Sequence, residues 1–342
     1  MADVDLNDNA QGGLWAISVI MLVIATVSVI IRTWAVLSDP SRRFGLDDLF
    51  VTLSLPFYAG ETAMVFWWIK LGLGRHEATI SLDDLAQAGK IVFASGFLFN
   101  TGLVLPKFSV LFFYHRIFGK SHQWFYNLIW VAASLNLAWL ITTYFCAAFQ
   151  CDPPKAAWTA VPGAKCIPIG RIYVGTSVVS TIIDLVIILM PVPMLVGLQA
   201  TKTRRALVLI VFLCGYCVIV TSLGRLVTVA KVGAGLTQDI TWSDVTYIKW
   251  VQCEGALSIA SACLPNIMSF GRRLKQHGVR AAVRGKSAYA SQGASARHDF
   301  RKIGPSTTEE SGPKDPYGSD EELRVLTAPQ HGIVQTRTFQ VS

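Results

Sequence analysis

A chain of 342 residues holds one bundle-sized domain and a tail, which excludes a second large domain. Hydrophobic residues make up 52% of it and charged residues only 15%. Soluble domains carry about a quarter charged residues, so a soluble globular class is excluded. The formal charge of +8 would suit nucleic acid, but the Lys and Arg collect in loops between apolar runs, so no nucleic-acid partner is expected.

Residues 1–13 contain Asp3, Asp5 and Asp8 and no Lys or Arg, the wrong sign for the start of a signal peptide. They read as a short extracellular N-terminus. Seven apolar runs follow, each long enough for the roughly 20 residues that a hydrocarbon core of about 30 Å demands of a helix. Helices are predicted over about 14–37, 47–70, 90–114, 124–149, 169–196, 206–230 and 245–270. Pro56, Pro106, Pro191, Pro193 and Pro265 lie inside these spans, where neighbouring helices tolerate kinks. The fold class is an all-α membrane protein, a seven-transmembrane-helix bundle over 14–273. From 274 to 342 the chain turns basic and then polar and reads as a mostly disordered cytoplasmic tail. Ser306, Thr307, Thr308, Ser311 and Ser319 there are candidate phosphorylation sites.

Loop charges orient the bundle. Thirteen cations fall on one side: Arg42, Arg43, Arg116, Lys120, Lys202, Arg204, Arg205, Arg272, Arg273, Lys275, Arg280, Arg284 and Lys286. The other side has four, Arg75, Lys155, Lys165 and Lys231. The positive-inside rule puts the N-terminus outside and the C-terminus in the cytoplasm. The protein is expected to be multi-pass, in the plasma membrane or an endomembrane.

Cys151 and Cys166 lie in the outer loop CDPPKAAWTAVPGAKC. The outer side is oxidising, so a disulfide fits, with Cys146 as a competitor and free thiols as the alternative. Cys214, Cys217, Cys253 and Cys263 fall in spans and read as small apolar packers. The CGYC pair has no second pair or histidine beside it, so no metal site is expected.

Charge at membrane depth is costly and marks candidate sites. At about 1.5 Å per residue, Glu61, Arg225 and Glu254 fall in the outer half, where an arginine–carboxylate pair would line a ligand pocket open to the outside. His76, in the outer loop GLGRH, would border it. Lys107 and Asp184 lie deeper and would pair across helices 3 and 5, fixing packing or gating a conformational change. Trp67, Trp68, Trp242 and Trp250 suit an aromatic belt.

Hydrolase, zincin and NTPase motifs are missing from the sequence. No cofactor is expected. Retinal would need a Schiff-base lysine within helix 7. Lys249 lies about one turn from its outer end, and helix 3 offers no acidic counter-ion.

Several markers recur in order: Arg32 ending helix 1, FGLDDLF with Asp47 and Asp48, GLGRH, and LPKFSVLFFYHRIF with Lys107 and Arg116. They continue with the CDPP loop containing Trp158, DLVIILMPVPML with Asp184, Arg225, and Glu254 followed by CLPNI. From about 14 to 273 this order resembles the fungal rhodopsin-domain integral membrane proteins. The resemblance implies a seven-helix, receptor-like fold. It implies a role either in sensing chemical cues through G proteins or in fungal gene clusters for secondary metabolites and mycotoxins.

The leading expectation is a receptor-like protein that senses a small apolar or amphipathic ligand near Glu61, His76, Arg225 and Glu254. Arg116, Lys202, Arg204 and Arg205 would meet a cytoplasmic signalling partner, and the lipid bilayer surrounds the whole. The alternative is an integral-membrane enzyme or accessory protein of secondary metabolism, its general acids drawn from Glu61, Asp184 and Glu254 in a cyclase-like reaction. The non-enzymatic reading is preferred. A transporter ranks third.

Overall fold

A computed structural model describes residues 10–38, 43–76, 79–118, 123–158, 161–193, 202–233, 241–242 and 244–267. All belong to the first of two units into which the chain divides, Met1–Ser291. The expected N-terminal acids, the tail from 274 with its phosphorylation candidates, Arg42, Lys120 and the cations between 272 and 286 lie outside the described residues.

Seven long helices account for almost everything described. They are α1 Gln11–Leu37, α2 Leu46–Lys70, α3 Leu82–Phe118, α4 Gln123–Ala148, α5 Ile169–Leu189 and α6 Lys202–Gly233, with α7 over 244–267. Six of them, α1 to α6, are long and apolar enough to cross a membrane. The seven helices read from the sequence are present, and six of them meet the length and apolarity of a span among the described residues. The helix over 244–267 is long enough, but Gln252, Glu254, Ser258 and Asn266 lower its apolarity, and all four are buried among the other helices.

Large apolar side chains point outward from the helices: Val19, Val23 and Ile30 on α1, Val131 and Phe145 on α4, Leu213 and Val227 on α6. Water would not tolerate so much exposed apolar surface; a bilayer is its natural solvent. Hydroxyl side chains within the spans are satisfied locally. Thr26, Thr62, Thr143, Thr181 and Thr228 each donate to the carbonyl four residues back, which hides their polarity from lipid.

Two helices differ in extent from the pattern of apolarity. α3 begins eight residues before the predicted start of 90, because Ser81 caps it: the Asp84 amide donates to the Ser81 hydroxyl at 3.2 Å. α5 stops at Leu189, just before Pro191, whose missing N–H cannot extend the hydrogen-bond ladder; residues 194–196 of the predicted span lie outside the described residues.

Successive helices run in opposite directions, so the bundle has two ends. One carries the loop between α4 and α5, and we refer to it as the disulfide end; the other carries Arg32 and Arg116, and is the basic end. In that loop β1 (Cys151–Asp152) and β2 (Lys165–Cys166) pair antiparallel, with Cys151 opposite Cys166. The two are joined by a disulfide across a sequence separation of 15; a loop of that size yields about 3 kcal/mol of chain-entropy stabilisation. The packing is close where glycines face rings. A Cβ at Gly255 of α7 would lie 2.7 Å from the Tyr58 ring of α2, and one at Gly224 of α6 would lie 2.7 Å from Trp250 of α7.

Candidate functional site

Four helices meet in one buried chain of charges. On α6 and α7, Arg225 Nε donates to Glu254 Oε2 at 2.5 Å, and Nη2 donates to Oε1 at 3.2 Å. Arg225 Nη1 also donates to the Ser177 hydroxyl of α5 at 2.6 Å. On α3 and α5, Lys107 Nζ lies 3.1 Å from Asp184 Oδ1. The Ser222 hydroxyl, one turn from Arg225, lies 2.8 Å from Glu254 Oε1 and 3.4 Å from Asp184 Oδ2. The sequence suggests an outer and an inner set of charges; Ser222 joins them into one network. Two cations balance two carboxylates, and each of the four is at most 5% exposed. Such charges stay buried only when paired and hydrogen-bonded. Aromatic faces complete the surroundings: Lys107 sits over Trp139 and Arg225 over Phe99.

Glu61 stands apart from this network. Its Oε2 accepts from Gln252 Nε2 at 3.1 Å, and among the described residues it has no ion-pair partner. Of the three residues expected together, Arg225 and Glu254 pair, whereas Glu61 is held by Gln252 instead. Gln252 and Glu254 are two positions apart on α7, so they face different neighbours: Gln252 turns to α2 and Glu254 to α6. His76 is buried at the disulfide end, stacked on Trp242 with centroids 4.7 Å apart. Its place depends on the GLGRH turn, in which Gly72 and Gly74 take φ of 117° and 88°, conformations that favour glycine. Of the tryptophans expected in a belt, Trp67 is exposed, whereas Trp68 is buried and Trp250 packs on Gly224.

A partly open cavity of about 60 Å³ lies against the Lys107–Asp184 end of the network. Pro106, Val110, Ile187, Ile188 and Val218 give it apolar walls, and Tyr114, Ser258 and Ser261 add hydroxyls. Glu61, His76, Arg225 and Glu254 do not line it. It runs from the level of Lys107 toward the basic end: Tyr114 lies seven residues further along α3, about 10 Å at helical rise.

A second charged cluster closes the basic end. Arg32, 1% exposed, donates through Nε to Asp48 Oδ1 at 2.9 Å and through Nη2 to Asp47 Oδ2 at 2.8 Å. Its Nη1 donates to the Ala262 carbonyl of α7 at 2.5 Å. Arg116, at the end of α3, reaches Asp47 Oδ1 at 3.2 Å, and the Ser109 hydroxyl donates to the Asp47 carbonyl at 2.6 Å. The sequence marked these residues singly and did not assign them a common site; the signal was an arginine inside an apolar span followed by a paired Asp opening the next helix. Among the described residues no group of three or more His, Cys, Asp or Glu side chains is arranged to hold a metal ion.

Residues 31–273 match the fungal rhodopsin domain, and the match takes in both charged clusters, the GLGRH turn and the disulfide loop. The chain belongs to the fungal rhodopsin domain family. It is a multi-pass integral membrane protein in contact with the lipid bilayer. Several curated proteins are similar to this fungal rhodopsin domain protein, among them the following three. A SAT4 family membrane protein of Emericella nidulans is 27% identical over 208 residues, 59% of this chain and 51% of the relative; the chain thus spans about half of that relative's length. Fugralins biosynthesis cluster protein 2 of Gibberella zeae is 23% identical over 334 residues, 93% of this chain and 81% of the relative. Wortmanamides biosynthesis cluster protein C of Talaromyces wortmannii is 23% identical over 303 residues, 85% of this chain and 82% of the relative. No solved structure matches the chain.

Proposed function

We propose that this fungal rhodopsin domain protein serves the biosynthesis of a secondary metabolite by binding a small molecule within a seven-span bundle. The basic end faces the cytoplasm, and α7 is the seventh span, its polar residues sheltered by the others. The observation that carries this reading is the buried network of Lys107, Asp184, Ser222, Glu254 and Arg225 with a cavity at its Lys107–Asp184 end. The names of two relatives, which place those proteins in biosynthesis clusters, supply the metabolic context. Among the three carboxylates considered as acids, Asp184 alone borders the cavity. Glu254, 0% exposed, is committed to Arg225 and Ser222, and Glu61 is held by Gln252. This supports binding more directly than a catalytic relay.

The test is deletion of the gene in its host, with metabolites profiled by mass spectrometry. Loss of a product, restored by the intact gene, is expected. An unchanged profile contradicts the metabolic role.

A receptor-like role is the second reading. It is favoured by the Arg32–Asp47–Asp48–Arg116 cluster, which ties α1, α2, α3 and α7 where a cytoplasmic partner would read their positions. A ligand-dependent G-protein response from the purified protein, with an unchanged metabolite profile on deletion, would favour it over the first.

A further inference from the structure

The hydrogen-bond capacity left open around the cavity defines what can sit in it. Lys107 has three N–H donors, and three acceptors already face them: the Ser180 carbonyl at 3.3 Å, the Ser180 hydroxyl at 2.9 Å and Asp184 Oδ1 at 3.1 Å. Asp184 is different. A carboxylate accepts about four hydrogen bonds, and among the described residues this one meets only Lys107 and the Ser222 hydroxyl. Two further groups on the cavity wall are nine-tenths buried and lack a partner. Tyr114 is 4% exposed and Ser258 is 5% exposed, and neither hydroxyl makes a hydrogen bond among the described residues. Neither is among the fully sealed unpaired atoms, which among the described residues are Ser18 Oγ and Asn136 Oδ1. The cavity thus offers an acceptor with spare capacity and two hydroxyls that can give or take.

The charge balance narrows the choice. Lys107 neutralises Asp184 locally, and Arg225 neutralises Glu254 behind it. An added carboxylate would face Asp184 with no unused cation, and an apolar tip would strand three polar groups. A neutral hydroxyl answers Asp184 and one wall hydroxyl at once: it donates to Asp184 and accepts from Ser258 or Tyr114. Size agrees. About 60 Å³ has room for about four to six water-sized centres at roughly 10–15 Å³ each, enough for a hydroxyl and a short apolar stretch between Val110, Ile187 and Val218.

We propose that this cavity is a binding site for the hydroxyl end of a slim apolar molecule, an alcohol or enol, entering from the basic half of the bundle. The proposal rests on the metabolic reading above and names its ligand class and side of entry. It sets the site on the opposite side of the network from the outer pocket suggested by the sequence.

The test uses the full chain in lipid nanodiscs and an alkyl alcohol bearing a diazirine on its chain, with labelled peptides mapped by mass spectrometry. Label is expected on α3 near Val110–Tyr114 and on α6 near Gly215–Val218. Hexanol should compete about tenfold better than hexanoate or hexane, the ratio expected when a hydrogen bond to a charged group is made or lost. Val218→Phe fills the cavity without touching a charge and should abolish the label there. Val220→Phe, at a position 42% exposed on the outside of α6, should not. Equal competition by hexanoate or hexane overturns the assignment of a hydroxyl. Label confined to lipid-facing residues or to the Arg225 side, or label that survives Val218→Phe in a monodisperse protein, overturns the site. The deletion profile reads the metabolic role independently, so either conclusion can fall while the other stands.

Discussion

Arg225 and Glu254 show what single side chains contribute to this bundle. Each would be ruinous alone at its depth, and together they make two hydrogen bonds. Glu254→Ala leaves Arg225, 3% exposed, without its counter-charge, and should cost roughly 3–5 kcal/mol, the usual penalty for breaking a buried pair. The loss is read as a lower unfolding midpoint in detergent. The double variant Arg225→Met, Glu254→Leu removes both charges and should recover a large part of it. A double variant no more stable than Glu254→Ala alone would mean that the pair contributes through something other than mutual charge compensation. The basic end offers a matched contrast. Arg32→Ala should be severely destabilising, since it removes the buried cation that bonds both Asp47 and Asp48 where they are 2% exposed. Arg116, whose side chain is 38% exposed, shares the same carboxylates, yet Arg116→Ala should cost at most about 1 kcal/mol because solvent screens it. Equal losses from the two would contradict this division of roles.

Between helices, packing depends on small residues at crossings. Gly255 lets α7 lie against the Tyr58 ring of α2, whose hydroxyl donates back to the Gln252 carbonyl at 3.0 Å. A methyl there meets ring carbons at 2.7 and 2.8 Å, too close for any real Cβ. Gly255→Ala should therefore destabilise by about 1–3 kcal/mol, as overpacking does. Gly96→Ala on α3 is the control: nothing lies within 4 Å of its Cβ position, so the substitution should be neutral or slightly stabilising, as alanine is favoured over glycine within a helix. Midpoints from thermal unfolding of both variants decide the matter. The same close contacts explain why α7 needs less apolar surface than α1 to α6. It meets other helices on several sides, through Val29 and Val51 at one level and Leu14 and Val65 at another, and Gln252, Glu254 and Asn266 find partners there instead of lipid.

Across the whole molecule, helices were readable from sequence because their cause is local. Apolar runs of membrane-spanning length mark α1, α2 and α4 to within a few residues, and loop composition marks the disulfide, which the structure forms between Cys151 and Cys166. Lys107 and Asp184 were also legible as a pair, since each sits alone at similar depth on its own helix. The arginine–carboxylate pair expected in the outer half also forms, but that Glu254 rather than Glu61 takes Arg225 was not legible. Depth along a helix follows from counting, whereas rotation about its axis follows from packing, and rotation sends Gln252 to α2 and Glu254 to α6. Nor was Ser222 legible as the link between the two ion pairs, because a serine in an apolar span usually just bonds its own backbone. The cavity is a property of four helices at once, formed where Gly215, Val218 and Ser258 leave room beside Asp184.

The central claim is that a small molecule of secondary metabolism is held in that space. It is tested most directly by the metabolite profile of the host carrying Val218→Phe at the native locus, beside a strain carrying Val220→Phe. With both proteins at wild-type abundance, the account predicts that the Val218 strain loses or alters a product while the Val220 strain matches the wild type. Identical profiles in all three strains would contradict it.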